Sequence, residues 1–412
     1  MPHAPPEATV AVFALVYLGM ILGGLPFLQL DRTGVALLGA IALLALDAVS
    51  IEDAARAVHL PTLVLLFAFM VMSAQMRLGG FYGWVTRGLA ALPLSPPALL
   101  GALIVAVALL AAVFSNDVVC LAVAPVLIDA CRARRVNPLP FLLALACAAN
   151  VGSAATLIGN PQNMLVGETL RLSFGGYALQ AALPVALGLA ATWAVIAWQA
   201  RGHWTAAVAD DSASEPDDGT PLNRWQAGKG LAVAGIVLAC FLFTPWPREV
   251  VALTGAGVLL LSRKMHSTRM LGLVDWELLV LFIGLFVVNH ALQRTGLPDV
   301  VVADLAAAGW RLDDLAVLGG TAFVLSNVVS NVPAVMLLLP VATHPLAGPT
   351  LALVSTFAGN LLIVGSIANI IVVDAAARRG VRIDWRLHAR TGVPVTLLTL
   401  ALAAGCLAAQ AP

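Results

Sequence analysis

Val113-Phe114-Ser115-Asn116-Asp117-Val118-Val119 and, 215 residues further on, Val328-Val329-Ser330-Asn331-Val332-Pro333-Ala334 are brief polar interruptions of long apolar runs. In each copy a proline follows the asparagine nine residues later, at Pro125 and Pro340. A carboxamide or carboxylate in hydrocarbon is costly unless it finds partners, so membrane chains keep such groups where they line a site. One interruption in each half predicts a duplicated fold with two halves of one binding site facing each other.

Composition assigns the class. Of 412 residues, 60% are hydrophobic and 11% charged, with a mean hydropathy of +0.95, against about 25% charged in a soluble domain. This predicts an all-α polytopic membrane protein with the lipid bilayer as its surroundings. The formal net charge is zero, which argues for neither a nucleic-acid nor an acidic partner, and no nucleic acid is expected. Met1–Glu7 carries no Lys or Arg ahead of the first apolar run, so that run reads as a first span and not a cleaved signal peptide. The five cysteines lie at no metal-like spacing and read as buried free thiols.

Apolar runs of spanning length fall near 9–28, 33–49, 60–77, 139–158, 177–199, 229–245, 248–262, 276–293, 349–364 and 390–410. Two more, at about 98–131 and 314–344, are cut at the centre by the Ser-Asn pairs. Their arms, of roughly 13–16 residues, are short for a crossing and read as re-entrant hairpins. One ordinary span plus a loop is the competing reading of each. The segments 79–93 and 298–310 read as interfacial helices.

A repeat at nearly constant offset supports duplication. Arg32-x-x-x-Ala36-Leu37-x-Gly39-Ala40 returns 216 residues later as Arg248-x-x-x-Ala252-Leu253-x-Gly255-Ala256. Each repeat then holds five transmembrane helices plus one re-entrant hairpin. An odd number of crossings forces the two repeats to be inverted. The divisions are a first repeat over 1–201, an acidic linker over 202–228 around Asp210–Asp218, and a second repeat over 229–412.

Charge supports the same layout. With both termini on one side, seventeen Lys and Arg residues collect on the opposite face and five (Arg56, Arg171, Arg248, Arg294, Arg311) on the face of the termini. The positive-inside rule makes the first face cytoplasmic, with the linker inside and both termini outside a plasma (inner) membrane.

Site chemistry gathers in two places per repeat. One is each hairpin tip: Ser115, Asn116 and Asp117, then Ser330 and Asn331. A tip brings free carbonyls and free N–H groups to the membrane interior, where they can hold a cation or an anion. The other is a broken span. Thr156, Gly159, Asn160 and Asn163 lie in Asn150-Val-Gly-Ser-Ala-Ala-Thr-Leu-Ile-Gly-Asn-Pro-Gln-Asn163, where Pro161 cannot continue a helix. Its counterpart holds Gly359-Asn360 and then Gly365, Ser366 and Asn369, without the proline. Gly152, Ser153 and Gly359 read as close-packing residues. Asp117, opposite Val332, is either a proton carrier or cation ligand, or a cap for the second arm. Na+ near Ser115, Asn116 and Asp117 and near Ser330 and Asn331 is the metal expectation. Asn289 and His290 are weaker candidates and read as packing residues.

The motifs Phe114–Pro125, Asn150–Asn163 and Ser330-Asn-Val-Pro together resemble the ion transporter superfamily, which includes ArsB/NhaD-like permeases, citrate transporters of the CitMHS type and divalent anion:sodium symporters. The resemblance covers nearly the whole chain. It implies an elevator-type transporter, with substrate held between the hairpin tips and the broken helices. The symporters carry Ser-Asn-Thr at both tips; Ser-Asn-Asp here is closer to the ArsB/NhaD branch. The expected function is a secondary active transporter of a small anion or oxyanion, with H+ or Na+ as coupling ion, no other cofactor, and a homodimer as candidate assembly. The alternatives are an arsenite efflux permease, for which Cys120 is a candidate thiol, or a sodium/proton antiporter. A channel or a membrane enzyme is the reading from a different class. No His/Glu metal motif or nucleophile with a base supports an enzyme.

Overall fold

The structure is a computed structural model that describes residues 5–25, 28–205 and 220–410; the acidic run Asp210–Asp218 lies outside them. Among the described residues the regular structure is helical. In chain order, the first ten helices are α1 (Pro6–Leu22), α2 (Arg32–Ala45), α3 (Ile51–Ala57), α4 (Leu60–Leu78), α5 (Phe81–Ala90), α6 (Pro96–Val113), α7 (Asn116–Ala133), α8 (Pro138–Ser153), α9 (Pro161–Thr169) and α10 (Phe174–Gln199). The next ten are α11 (Arg224–Phe243), α12 (Arg248–Leu260), α13 (Ser267–Leu271), α14 (Trp276–Arg294), α15 (Leu297–Ala307), α16 (Leu315–Val329), α17 (Asn331–Leu338), α18 (Ala347–Ala358), α19 (Ile367–Arg378) and α20 (Trp385–Gln410).

The helix starts are written locally. Pro occupies the first turn of α1, α4, α6, α8 and α9, where its missing N–H would be unpaired anyway. Asp31 and Asp275 cap α2 and α14 by accepting from Gly34 N (2.7 Å) and Leu278 N (2.9 Å).

Among the described residues six helices, α4, α6, α10, α11, α14 and α20, are long and apolar enough to cross a membrane. Large apolar side chains such as Leu179, Ile236, Phe243 and Leu397 face outward along the long helices, where a bilayer and not water suits them. The protein is a multi-pass membrane protein.

Two segments run further than the hydropathy suggests. The stretches expected to end near 158 and 364 continue through breaks at 154–160 and 359–366 into α9 and α19, ending at Thr169 and Arg378. Polar residues that look like a span's end lie in its middle, because Pro161 is well placed to start a new helix. The first hairpin is also longer than expected, with 18 residues in each arm, or about 27 Å each.

The helices pack as two groups. In one, α2 lies on α14 and α12 on α4, with α1 against α2 and α11 against α12. In the other, α6 packs on α8, α16 on α18, α7 on α19 and α10 on α20. Hydrogen bonds give directions. Thr33 donates to Glu277 O (3.3 Å), so α2 and α14 start side by side. Gln199 at the end of α10 donates to Arg390 O (2.8 Å), and Gln410 at the end of α20 to Gln180 O (3.4 Å). Helices α10 and α20 are therefore antiparallel.

Candidate functional site

Helices α6 and α7 form a hairpin. Arg134 near the end of α7 donates to Ala90 O and Leu92 O (2.8 Å each) and to Leu94 O (3.0 Å), which fastens it beside the start of α6. The tip at the other end sits in the α8–α9 break. Asn116 N donates to Gly159 O (3.3 Å), and Thr156 Oγ1 donates to Ala112 O (2.5 Å). This approach needs small residues: a Cβ on Gly152 would lie 2.3 Å from Ala108 Cα, and one on Gly159 2.2 Å from Ser153 O. Gly159 is thus a packing residue whose carbonyl is already engaged.

Asn150 is the hub. Its Oδ1 accepts from Asn116 Nδ2 (3.1 Å) and Ser366 Oγ (2.9 Å), and its Nδ2 donates to Asn360 Oδ1 (2.9 Å) and Asn369 Oδ1 (3.1 Å). Both breaks and the first tip are joined through one buried carboxamide. Ser366 also caps α19 by accepting from Ala368 N (3.2 Å), and Asn369 Nδ2 donates to Gly359 O (2.7 Å) and Leu362 O (3.0 Å). Behind this loop, buried His388 Nε2 lies 3.1 Å from Asn360 O.

A second cluster surrounds Thr356. Asn160 caps α9 through Oδ1 to Asn163 N (2.9 Å) and donates from Nδ2 to Ser153 Oγ (3.0 Å) and Thr356 Oγ1 (3.1 Å). Asn163 Oδ1 accepts from Thr356 Oγ1 (3.3 Å), while its Nδ2 donates to Thr156 O and Tyr177 Oη (3.2 Å each).

The second tip is built differently. Ser330 has φ 81° and ψ 159°, a backbone region that is essentially reserved for glycine. It faces the α18–α19 break: a Cβ on Gly359 would lie 3.3 Å from Asn331 Nδ2, and one on Gly365 3.4 Å from Asn327 Oδ1. The buried oxygens Asn331 Oδ1, Asn327 Oδ1 and Asn116 Oδ1 have no hydrogen-bond partner among the described residues. Buried acceptors are rarely left so, and such orphans are where a ligand's donor or a cation gains most.

Helices α7, α9, α17 and α19 all begin in this region. Four N-termini turn positive dipole ends and free N–H groups towards one place, a favourable surrounding for an anion. None of the side-chain hydrogen bonds described at the two breaks involves Lys or Arg. Asp117 is partly exposed, and its carboxylate faces the Ala368 amide at the start of α19. Ser115 and Ser330 are also partly exposed.

The sequence-level candidates thus come together, with Gly159 in a supporting place. Cys120 is wholly buried in α7. Asn289 accepts from Tyr17 Oη (2.9 Å) and packs near Met336, away from the breaks. Asn150 and Asn327 carry more of the geometry than their sequence context suggested. The signal for both was an asparagine inside an apolar helix.

Comparison with known proteins gives the family. The citrate transporter (CitMHS) family model matches residues 15–358. The silicon efflux transporter LSI3 of Oryza sativa subsp. japonica is 29% identical over 466 residues, covering 95% of each chain. An uncharacterised transporter of Mycobacterium tuberculosis is 31% identical over 374 residues, covering 82% of this chain and 84% of that one. In fold, the Alcanivorax borkumensis YdaH transporter superposes with a TM-score of 0.59 at 15% identity, over 99% of this chain and 98% of that one. By the extent of the family match and of these relatives, the chain is a membrane transporter belonging to the citrate transporter (CitMHS) family.

Proposed function

We propose that this transporter is a secondary active carrier of a small anion or oxyanion, coupled to H+ or Na+, that works by alternating access. The observation that carries the reading is the meeting of four helix N-termini with three unpaired carboxamide oxygens. The N–H groups suit an anion, and Asn116, Asn327, Asn331 and the Asp117 carboxylate suit a cation. No Lys or Arg side chain takes part in the hydrogen bonds there, so a multiply charged anion would need co-bound cations, which is what coupling supplies. Ser115, Asn116, Asp117, Thr156, Asn160, Asn163, Ser330, Asn331, Gly365, Ser366 and Asn369 are the proposed site.

Inverted repeats support alternating access. Helices α1–α10 and α11–α20 follow the same succession, and the α2–α14 contact is returned as α12–α4. The antiparallel course of α10 and α20, the last helix of each half, is what inversion requires. The hairpin tips abut the two helix breaks, and this meeting, not arm length, supports a re-entrant placement, since α6 by itself is long enough to cross. The two packing groups then correspond to a scaffold (α1, α2, α4, α11, α12, α14) and an elevator.

The silicon efflux relative favours a second reading, export of a small hydroxylated oxyacid, which an amide- and hydroxyl-lined site can hold without a fixed cation. Thermal stability of the purified protein, measured with citrate, silicate, arsenite and phosphate at two pH values with and without Na+, tests both. Stabilisation by one oxyanion or oxyacid, followed by its counterflow in proteoliposomes, is expected. No stabilisation by any of them, or flux at channel rates without counterflow, overturns the proposal.

A further inference from the structure

The scaffold and elevator groups meet through few polar contacts, and one of them is an ion pair. Arg248, the first residue of α12, sets Nε 3.0 Å from Glu168 Oε1 and donates from Nη2 to Gly167 O (3.2 Å), at the end of α9. The two side chains are 17% and 11% exposed, so this contact is shielded more than an ordinary surface pair.

Both partners have counterparts in the other half of the chain. Arg32 is the first residue of α2 and opens the same Arg-x-x-x-Ala-Leu-x-Gly-Ala segment as Arg248. Glu168 lies eight residues past the N-cap Asn160 of α9; Asp374 lies eight residues past the N-cap Ser366 of α19. The same two charges therefore recur at the same two structural positions. In this conformation the second pair is not made. Arg32 donates instead from Nε to Met20 O (3.1 Å), and Asp374 pairs with Arg378 (2.9 Å), where the side chains are 56% and 76% exposed.

We propose that Arg248–Glu168 and Arg32–Asp374 are reciprocal latches, one at each membrane face, and that the second closes as the first opens. The inference rests on the alternating-access reading above. In an inverted repeat, exchanging the conformations of the two halves yields the opposite-facing state, so a contact made in one half is made by the other half in that state. The energetics ask for the same device. A carrier must populate both states, and a single shielded ion pair would tip the equilibrium towards the state that makes it. A second pair, made only in the opposite state, offsets that bias. Arg32 and Asp374 are also held loosely now, by one carbonyl and by an exposed neighbour, so releasing them requires little.

Cross-linking in membrane vesicles tests this on the full chain with a protease site inserted between residues 205 and 220. Cysteines replace either Glu168 and Arg248 or Arg32 and Asp374. Each pair joins the two halves, so after cleavage only a cross-linked protein stays intact on a non-reducing gel. Both pairs are expected to cross-link above single-cysteine controls, and Arg248→Ala to raise the yield at 32/374 about tenfold over the same cysteine pair with Arg248 intact. Cross-linking at 168/248 with none at 32/374 overturns the reciprocal latch, whatever the protein carries. Cross-linking at both, in a protein that moves neither citrate nor silicic acid, keeps the latches and counts against the transport reading. Where a double-cysteine protein does not reach the membrane, charge exchange decides. Asp374→Arg alone should lower flux, and Arg32→Asp with Asp374→Arg should restore it; an undiminished flux in Asp374→Arg overturns the proposal.

Discussion

Asn150 and Asn331 are both asparagines at the candidate site, yet they stand in opposite positions. The Asn150 carboxamide is fully engaged with Asn116, Ser366, Asn360 and Asn369, whereas Asn331 Oδ1 has no partner among the described residues. Removing a hydrogen-bond partner and leaving the other group buried costs about 1–3 kcal/mol. Asn150→Ala is therefore expected to lower the unfolding temperature as well as transport. Asn331→Ala should leave the unfolding temperature unchanged and weaken substrate or ion affinity roughly tenfold to a hundredfold. Equal loss of stability in both variants would show that the second tip is only a structural turn. Asp117 belongs to the same scale. The residue is partly exposed and its carboxylate faces the Ala368 amide, and Asn is itself a good helix cap. Asp117→Asn should keep the tip intact and continue counterflow while losing acceleration by an imposed H+ or Na+ gradient. A variant that still responds fully to both gradients leaves Asp117 as a cap.

At the scale of elements, the two hairpins differ in strain. Ser330 holds a positive φ that a serine adopts at a cost of order 1–3 kcal/mol, whereas Ser115 at the first tip has φ −47°. Ser330→Gly is expected to raise stability by about 1 kcal/mol, read as a higher unfolding temperature, and to reduce transport if the strained tip holds ligand. A drop in unfolding temperature would argue that the serine is not strained. The hairpins were legible because a Ser-Asn pair interrupts otherwise continuous apolar sequence. The breaks were legible as polar interruptions of a span, but the helices beyond them were not, since the apolar runs stop near 158 and 364 while α9 and α19 carry on to Thr169 and Arg378. The hub was not legible. Asn150 meets Asn360 and Asn369 across more than 200 residues of chain, and no local pattern encodes which distant amide will face it. Asn327 was hidden for a related reason: its Oδ1 matters because Gly365 approaches it, a fact of tertiary packing.

For the whole molecule, the proposed orientation rests on two features. The antiparallel α10 and α20 require an odd number of crossings between the end of α10 and the end of α20, and the proposed repeat gives the first half the same number; the Lys and Arg count of seventeen against five then favours one face as the inner one. On that proposal the centre of the chain and its C-terminus belong on opposite sides. Cysteines at Ser214 and Ala411, both outside the described residues, report on this in intact cells treated with an impermeant maleimide. The protein's own thiols set the background: Cys120, Cys131 and Cys147 are buried, while Cys240 and Cys406 are partly exposed and need replacing. Labelling at 411 with protection at 214 is expected. The reverse pattern would keep the inverted arrangement and turn it over, so that the charge bias had pointed the wrong way. Labelling of both positions, or of neither when lysed cells label both, would put them on one side. That result gives the second half an even number of crossings, and it would remove inversion and the paired half-sites with it.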